Sequence, residues 1–245
     1  MYVDRSTNGR VRLRWVTGQA ALVLLGVAFY FGVRGYTEAS RAEAVDHAHD
    51  LVALEARLGI DVEHDLQSLA APSDTVETLA NWIYIWGHWP VIIATMVWLG
   101  WRHRRQFLRL RDAMLVSGAL GMVVFVSYPV APPRLADARM VDTVTERSEA
   151  YRILQPPAFV NQYAALPSLH SGWDLLVGIS IVAAASTLAL KVVGFAMPVL
   201  MGIAVVATAN HYVIDVVAGV ALVLVGYAAA LALERRRDGR HRSPG

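Results

Sequence analysis

The stretch Ala165-Leu-Pro-Ser-Leu-His170-Ser-Gly-Trp-Asp174 leads from turn-forming residues into a long apolar block, and Asn210-His211-Tyr-Val-Ile-Asp215 repeats the arrangement downstream. In each, a histidine stands at the junction and an aspartate follows four positions later. Four residues make about one helical turn, so each histidine shares a helix face with its carboxylate. Ionisable groups inside such apolar helices are costly and mark functional sites. Whether the apolar blocks are long enough to cross a bilayer decides the fold class.

The chain of 245 residues is 56% hydrophobic, lacks cysteine and carries a formal net charge of +2. A membrane-spanning helix needs roughly 20 mostly apolar residues. Six blocks meet that length: Trp15–Val33, Val76–Trp101, Asp112–Val130, Ser168–Ser186, Leu188–Ala207 and Asn210–Leu233. Basic residues gather at Arg5–Arg14, Arg102–Arg111, Lys191 and Arg235–Arg237, which the positive-inside bias places in the cytoplasm. The expectation is an all-α integral membrane protein with six transmembrane helices and both termini cytoplasmic. Arg134, His170 and His211 then fall at extracytoplasmic helix ends. Between the first two spans, Ala44, Ala48, Leu51, Leu54 and Leu58 recur at helical spacing up to Gly59. This predicts an interfacial amphipathic helix, lying along the outer membrane face or packed on another extracytoplasmic loop.

Four segments follow: a cytoplasmic tail and first span at 1–37, an extracytoplasmic amphipathic helix at 38–75, a membrane core at 76–233 and a basic tail at 234–245. Absence of cysteine excludes thiol catalysis, disulfides and thiolate zinc sites. The basic residues set topology and form no nucleic-acid-binding patch.

At a helix N-terminus, unpaired N–H groups carry partial positive charge and attract anions. Ser168 and Asn210 are both good N-cap types, which predicts helices beginning just before His170 and His211. Two such ends facing each other would make a phosphate site, and Arg134 would add a guanidinium fork. His211 can then act as nucleophile, Asp215 can fix its tautomer, and His170 can serve as general acid.

Arg134, the Pro167-Ser-Leu-His170 run and His211-x-x-x-Asp215 resemble the three catalytic motifs of the type 2 phosphatidic acid phosphatase superfamily. Their wording, with Asn81-x-x-Tyr84-x-x-x-His88-x-Pro90 and Tyr128-Pro-x-x-Pro-Pro-Arg134, is similar to the branch containing inositol phosphorylceramide synthase. The resemblance implies a lipid phosphotransferase or phosphatase working through a phosphohistidine, without metal or cofactor. Its substrate would be a lipid or polyprenyl phosphate, its acceptor a polyol or lipid hydroxyl or water. Carried over, His211 is the nucleophile, Asp215 its orienting partner and His170 the acid, while Arg134 and Ser168 bind phosphate. Superfamily phosphatases carry a lysine where this chain has Ser127 and an arginine where it has Val205, which favours a donor with less charge to neutralise.

Asp174 lies outside the family pattern; two readings stand, a charge that keeps His170 protonated and, the more expected, a structural group bonding a neighbouring helix. His88, Tyr84 and Asn81 are secondary candidates for substrate contact. Two other classes fit parts of the pattern. Histidines on three helices can hold haem or a metal in a membrane carrier, and Ser168 with His211 can serve an intramembrane serine hydrolase.

Overall fold

The computed structural model describes residues 40–147 and 161–240, together with 14, 17–19, 21–26 and 28. Only part of the expected first span, Trp15–Val33, falls within the described residues. Ten helices are described from residue 40 onward: α1 (Arg41–Leu58), α2 (Glu63–Ala70), α3 (Asp74–Trp86), α4 (Trp89–Arg102), α5 (Arg104–Ser127), α6 (Pro133–Ala136), α7 (Thr143–Arg147), α8 (Leu169–Ala184), α9 (Leu188–Ala207) and α10 (Val213–Arg240). No strand occurs among the described residues; Val130 and Ala164 form one isolated parallel bridge.

Three helices, α5, α9 and α10, are long and apolar enough to cross a membrane. Such helices indicate membrane integration. The expected second span is a broken one, because α3 and α4 meet at a 45° bend. Pro90 has no N–H to bond the carbonyl of Trp86, so the helix stops and restarts, leaving His88 at the elbow. The expected fourth span is α8, only 16 residues long. At 1.5 Å per residue it covers about 24 Å, short of a hydrocarbon core of about 30 Å. The described residues thus hold three spans, or four with the bent pair, where six were expected.

Helix α1 ends at Gly59, whose φ of 68° is a left-handed conformation that other residues adopt at a cost. Of its predicted stripe, Ala44, Ala48 and Leu51 are buried, whereas Leu54 and Leu58 are exposed. The buried part packs on Val130, Ala131, Ala165 and Tyr212, residues of the loops that carry the sequence motifs. Alanine at position 44 lets the backbones meet, and Ala131 N–H donates to the Ala44 carbonyl at 2.9 Å. The buried part of this helix thus packs on a loop, as one of the two expected placements has it.

At the opposite end of the bundle, the N-terminal part of α5 meets the C-terminal part of α10 through ion pairs. Arg105 and Arg109 bind Glu234, and Arg111 and Arg237 bind Asp112. Two of the basic clusters read from the sequence, Arg102–Arg111 and Arg235–Arg237, therefore meet at one end, away from the two histidine motifs.

Helices α8 and α10 cross where the motifs begin. Ser168 N–H donates to the Asp215 carbonyl at 2.9 Å. A Cβ added at Gly219 would lie 2.1 Å from the Ser168 carbonyl oxygen, a backbone atom that cannot swing away. Gly219→Ala should therefore lower the thermal unfolding midpoint in detergent, by the equivalent of about 1–3 kcal/mol or more. Gly202→Ala is the control, since its Cβ would meet nothing nearer than a Val216 side-chain carbon at 3.8 Å. Equal midpoints for the two variants would contradict the close crossing.

Candidate functional site

His211 lies in the short segment between α9 and α10, and its side chain is buried. Its Nδ1 is 2.8 Å from the carbonyl oxygen of Ala165 and 3.4 Å from Asp215 Oδ2. A carbonyl oxygen can only accept, so in the neutral ring Nδ1 carries the proton. The lone pair is then on Nε2. The expected partner Asp215 is present, but the shorter contact comes from a backbone carbonyl of the other motif. The His211 backbone is held as well, its N–H donating to the Val205 carbonyl at 3.1 Å.

Asn210 is not the N-cap of the last helix. Its amide donates to the Thr208 carbonyl and to Thr208 Oγ1, while its Oδ1 accepts from Arg134 Nη1 at 2.5 Å. Helix α10 instead begins at Val213, and carboxylates cap it. Tyr212 N–H donates to Asp215 Oδ2 at 2.9 Å, Val213 N–H to Glu63 Oε1 at 2.9 Å and Ile214 N–H to Glu55 Oε1 at 2.7 Å. This corrects the expectation that two open helix ends form the phosphate site. Three successive N–H groups of this end already have acceptors.

The acid candidate's helix begins as read from the sequence. Ser168 caps α8, accepting from the Ser171 N–H at 3.4 Å and donating to Ser171 Oγ at 3.3 Å. Ser168 is fully buried, and a phosphate contact would redirect its O–H from Ser171 Oγ while the cap bond from Ser171 N–H stays. The His170 ring centroid is 5.8 Å from that of His211. Tyr84 stacks on His170 at 4.7 Å, and the His88 ring approaches it at 4.3 Å. The broken α3–α4 unit thus covers His170 with two rings.

Asp174 takes the structural role of its two expected readings, a bond to a neighbouring helix unit, and not the pairing with His170. Its Oδ1 accepts from His88 Nδ1 at 2.9 Å, so its partner is the elbow histidine and not His170. Helical spacing put Asp174 and His170 on one face, but His88 enters between the helices and takes the carboxylate. Asn81 also has a structural partner: it exchanges hydrogen bonds with the carbonyl and hydroxyl of Thr143, tying α3 to α7.

Arg134 sits at the first turn of α6, and its backbone N–H donates to the Ala209 carbonyl at 3.1 Å. Its guanidinium bonds Asn210 and pairs through Nε with Asp142 at 3.1 Å. The arginine is therefore held beside the residue preceding His211, with its charge partly offset. Val205 is fully buried, and the Ser127 hydroxyl bonds back to the Val123 carbonyl within its own helix, so neither replaces a cation. Among the described residues no group of three or more histidine, aspartate or glutamate side chains could hold a metal ion.

Glu55 and Glu63 are participants that the sequence reading missed. A signal existed: Glu55 continues the Ala44, Ala48, Leu51 stripe, and a carboxylate on a buried stripe needs a partner.

With this geometry in place, the family comparison bears on it. The family model described as PAP2 superfamily matches residues 49–229, most of the chain and all of the residues just described except the N-terminal part of α1. No curated protein and no solved structure matches the chain.

The His88–Asp174 pair is open to a double-mutant test. His88→Ala leaves a buried carboxylate without its donor and should destabilise the protein by about 3–5 kcal/mol. His88→Ala combined with Asp174→Asn should cost less than His88→Ala alone, read from unfolding midpoints in detergent. A double variant less stable than the single would show that the two groups are not coupled.

Proposed function

The chain belongs to the PAP2 superfamily, and on that footing we propose that it is a membrane enzyme acting on the phosphate of a lipid or polyprenyl phosphoester. Members of this superfamily are phosphatases and phosphotransferases. The observation that carries the reading is the His211 Nδ1 contact with the Ala165 carbonyl at 2.8 Å, which leaves Nε2 as the free lone pair with His170 nearby.

In the proposed reaction, Nε2 of His211 attacks phosphorus while the bond to the leaving alkoxide breaks. His170 gives its proton to the leaving oxygen. The phosphoryl group then rests on His211, Asp215 stabilises the charged ring, and Arg134 binds the phosphoryl oxygens. An acceptor hydroxyl next loses its proton to His170 and attacks phosphorus, releasing His211. Water as acceptor gives a phosphatase, and a polyol or lipid alcohol gives a transferase.

We favour the transferase, of the inositol phosphorylceramide synthase-like kind, because the site is poor in cations. Ser127 and Val205 supply none, and Arg134 shares its charge with Asp142. A phosphodiester donor needs less neutralisation than a phosphomonoester. The basic end of the bundle at Arg105 and Arg237 supports cytoplasmic termini and an extracytoplasmic site.

Incubation with a radiolabelled phospholipid followed by rapid quenching should trap acid-labile, base-stable phosphate on the wild-type protein and none on His211→Ala. His170→Ala should lower turnover of an alkyl phosphoester about 10²–10⁴-fold. The loss should shrink with a p-nitrophenyl ester, whose leaving group needs no proton. Activity surviving in His211→Ala would overturn the mechanism, and fluorophosphonate labelling at Ser168 would replace it with a serine hydrolase. A screen of polyol and lipid acceptors then separates transfer from hydrolysis.

A further inference from the structure

Every carboxylate contact at the start of α10 lies next to His211, yet two of the three carboxylates come from helices outside the motifs. Glu63 on α2 accepts from Val213 N–H, and Glu55 on α1 accepts from Ile214 N–H. Asp215 Oδ2 accepts from Tyr212 N–H and is also the oxygen that faces His211 Nδ1. We propose that Glu55 and Glu63 are positioning residues of the reaction: as a carboxyl pair they clamp the first turn of α10 and so set where His211 and Asp215 stand. The inference rests on the reading of His211 as nucleophile.

The clamp has an electrostatic condition. Glu55 and Asp215 are fully buried and Glu63 nearly so. Among the described residues none of the three forms an ion pair with lysine or arginine. The helix end offers only about half a positive charge. Three full negative charges there would repel each other, so the cap is stable when one proton remains. Glu55 is the group that keeps it. Burial raises its carboxyl to about 8, with Glu63 and Asp215 adding to the rise and the Ile214 N–H opposing it. The buried Tyr212 phenol beside them is itself shifted up, by burial first and then by Asp215, Glu55 and Glu63. Glu55 Oε2 has no partner among the described residues unless it carries a proton, which it can then donate to Glu63.

The sign follows. A carboxyl raised on folding is protonated in the native state below about pH 8, and that contribution is lost as pH rises through this value. Above it, Glu55 and Glu63 repel each other beneath the first turn of α10. Turnover should fall on the alkaline side by a factor belonging to this pair, in addition to any factor from the general acid.

The test compares kcat at pH 9 with kcat at pH 6.5 under saturating substrate, using the full-length enzyme in detergent. One unit above a pKa near 8, only about one molecule in ten keeps the proton. Glu55→Gln retains an acceptor for Ile214 N–H and a donor toward Glu63 and cannot ionise, so its ratio should exceed the wild-type ratio about tenfold. Glu63→Gln relieves the same repulsion and should raise the ratio in the same direction. Glu55→Ala, which removes the acceptor, should lower kcat at both pH values with KM little changed. Infrared titration of the wild-type protein supplies a readout that needs no variant: the C=O stretch of a protonated carboxyl should disappear with a midpoint near pH 8. Ratios equal to wild type in the folded glutamine variants, or no carboxyl titrating in that range, would overturn the proposal. His211→Ala separates the failures: if it is inactive while the ratios stay equal, only the clamp is wrong, and if it is active, the reading of the nucleophile is wrong as well.

Discussion

A backbone seam between two distant motifs holds the site together. Ser168 N–H bonds the Asp215 carbonyl, and the Ala165 carbonyl accepts from His211 Nδ1. Both bonds need the N-terminus of α8 to lie against the first turns of α10, closer than side chains normally allow. Gly219 makes this possible, because any Cβ there would occupy the space of the Ser168 carbonyl. Once the helices touch, the centroids of the two histidine rings stand 5.8 Å apart, and the tautomer of His211, the proposed nucleophile, is set by a carbonyl that has no choice of role. The α5–α6 loop joins the seam through Val130, which donates to the Tyr163 carbonyl and accepts from Ala165 N–H.

Charge is arranged asymmetrically about this seam. The α10 end is closed by three carboxylates, so its Tyr212, Val213 and Ile214 N–H groups are not open to an anion. Arg134 approaches from the opposite loop and is anchored to Asn210, one residue before His211. In the proposed reaction the carboxylate side favours positive charge on the His211 ring, while the arginine side receives the phosphoryl oxygens. The start of α10 is thus braced by residues from α1 and α2, the segment expected from the sequence as an extracytoplasmic amphipathic helix.

The elbow between α3 and α4 explains a charged residue at an apolar depth. Asp174 sits in the second turn of α8 with no exposure, a position that a lone carboxylate cannot hold at reasonable cost. His88 reaches it because Pro90 breaks the helix there and turns the chain inward. The same turn brings Tyr84 and His88 over the His170 ring, so one missing backbone N–H at Pro90 shapes both the buried pair and the cover of His170.

Local chemistry made much of this legible in the sequence. Apolar run length marked the long helices, and α9 begins and ends where its hydropathy says. Ser168 was recognisable as a cap, and the spacing of His211 and Asp215 described a real contact, because both features depend on neighbours within one turn. The family resemblance likewise rested on short motifs that the chain displays in order. What needed the tertiary structure were the partners drawn from afar. Helical spacing paired Asp174 with His170, but a histidine 86 positions earlier takes the carboxylate. Asn210 looked like a cap, yet Glu55 and Glu63 arrive from more than a hundred residues away to do that work. A sequence specifies which polar groups must be satisfied. Only packing decides which donor reaches each buried acceptor first, since that choice depends on where helices bend and how closely glycines let them cross.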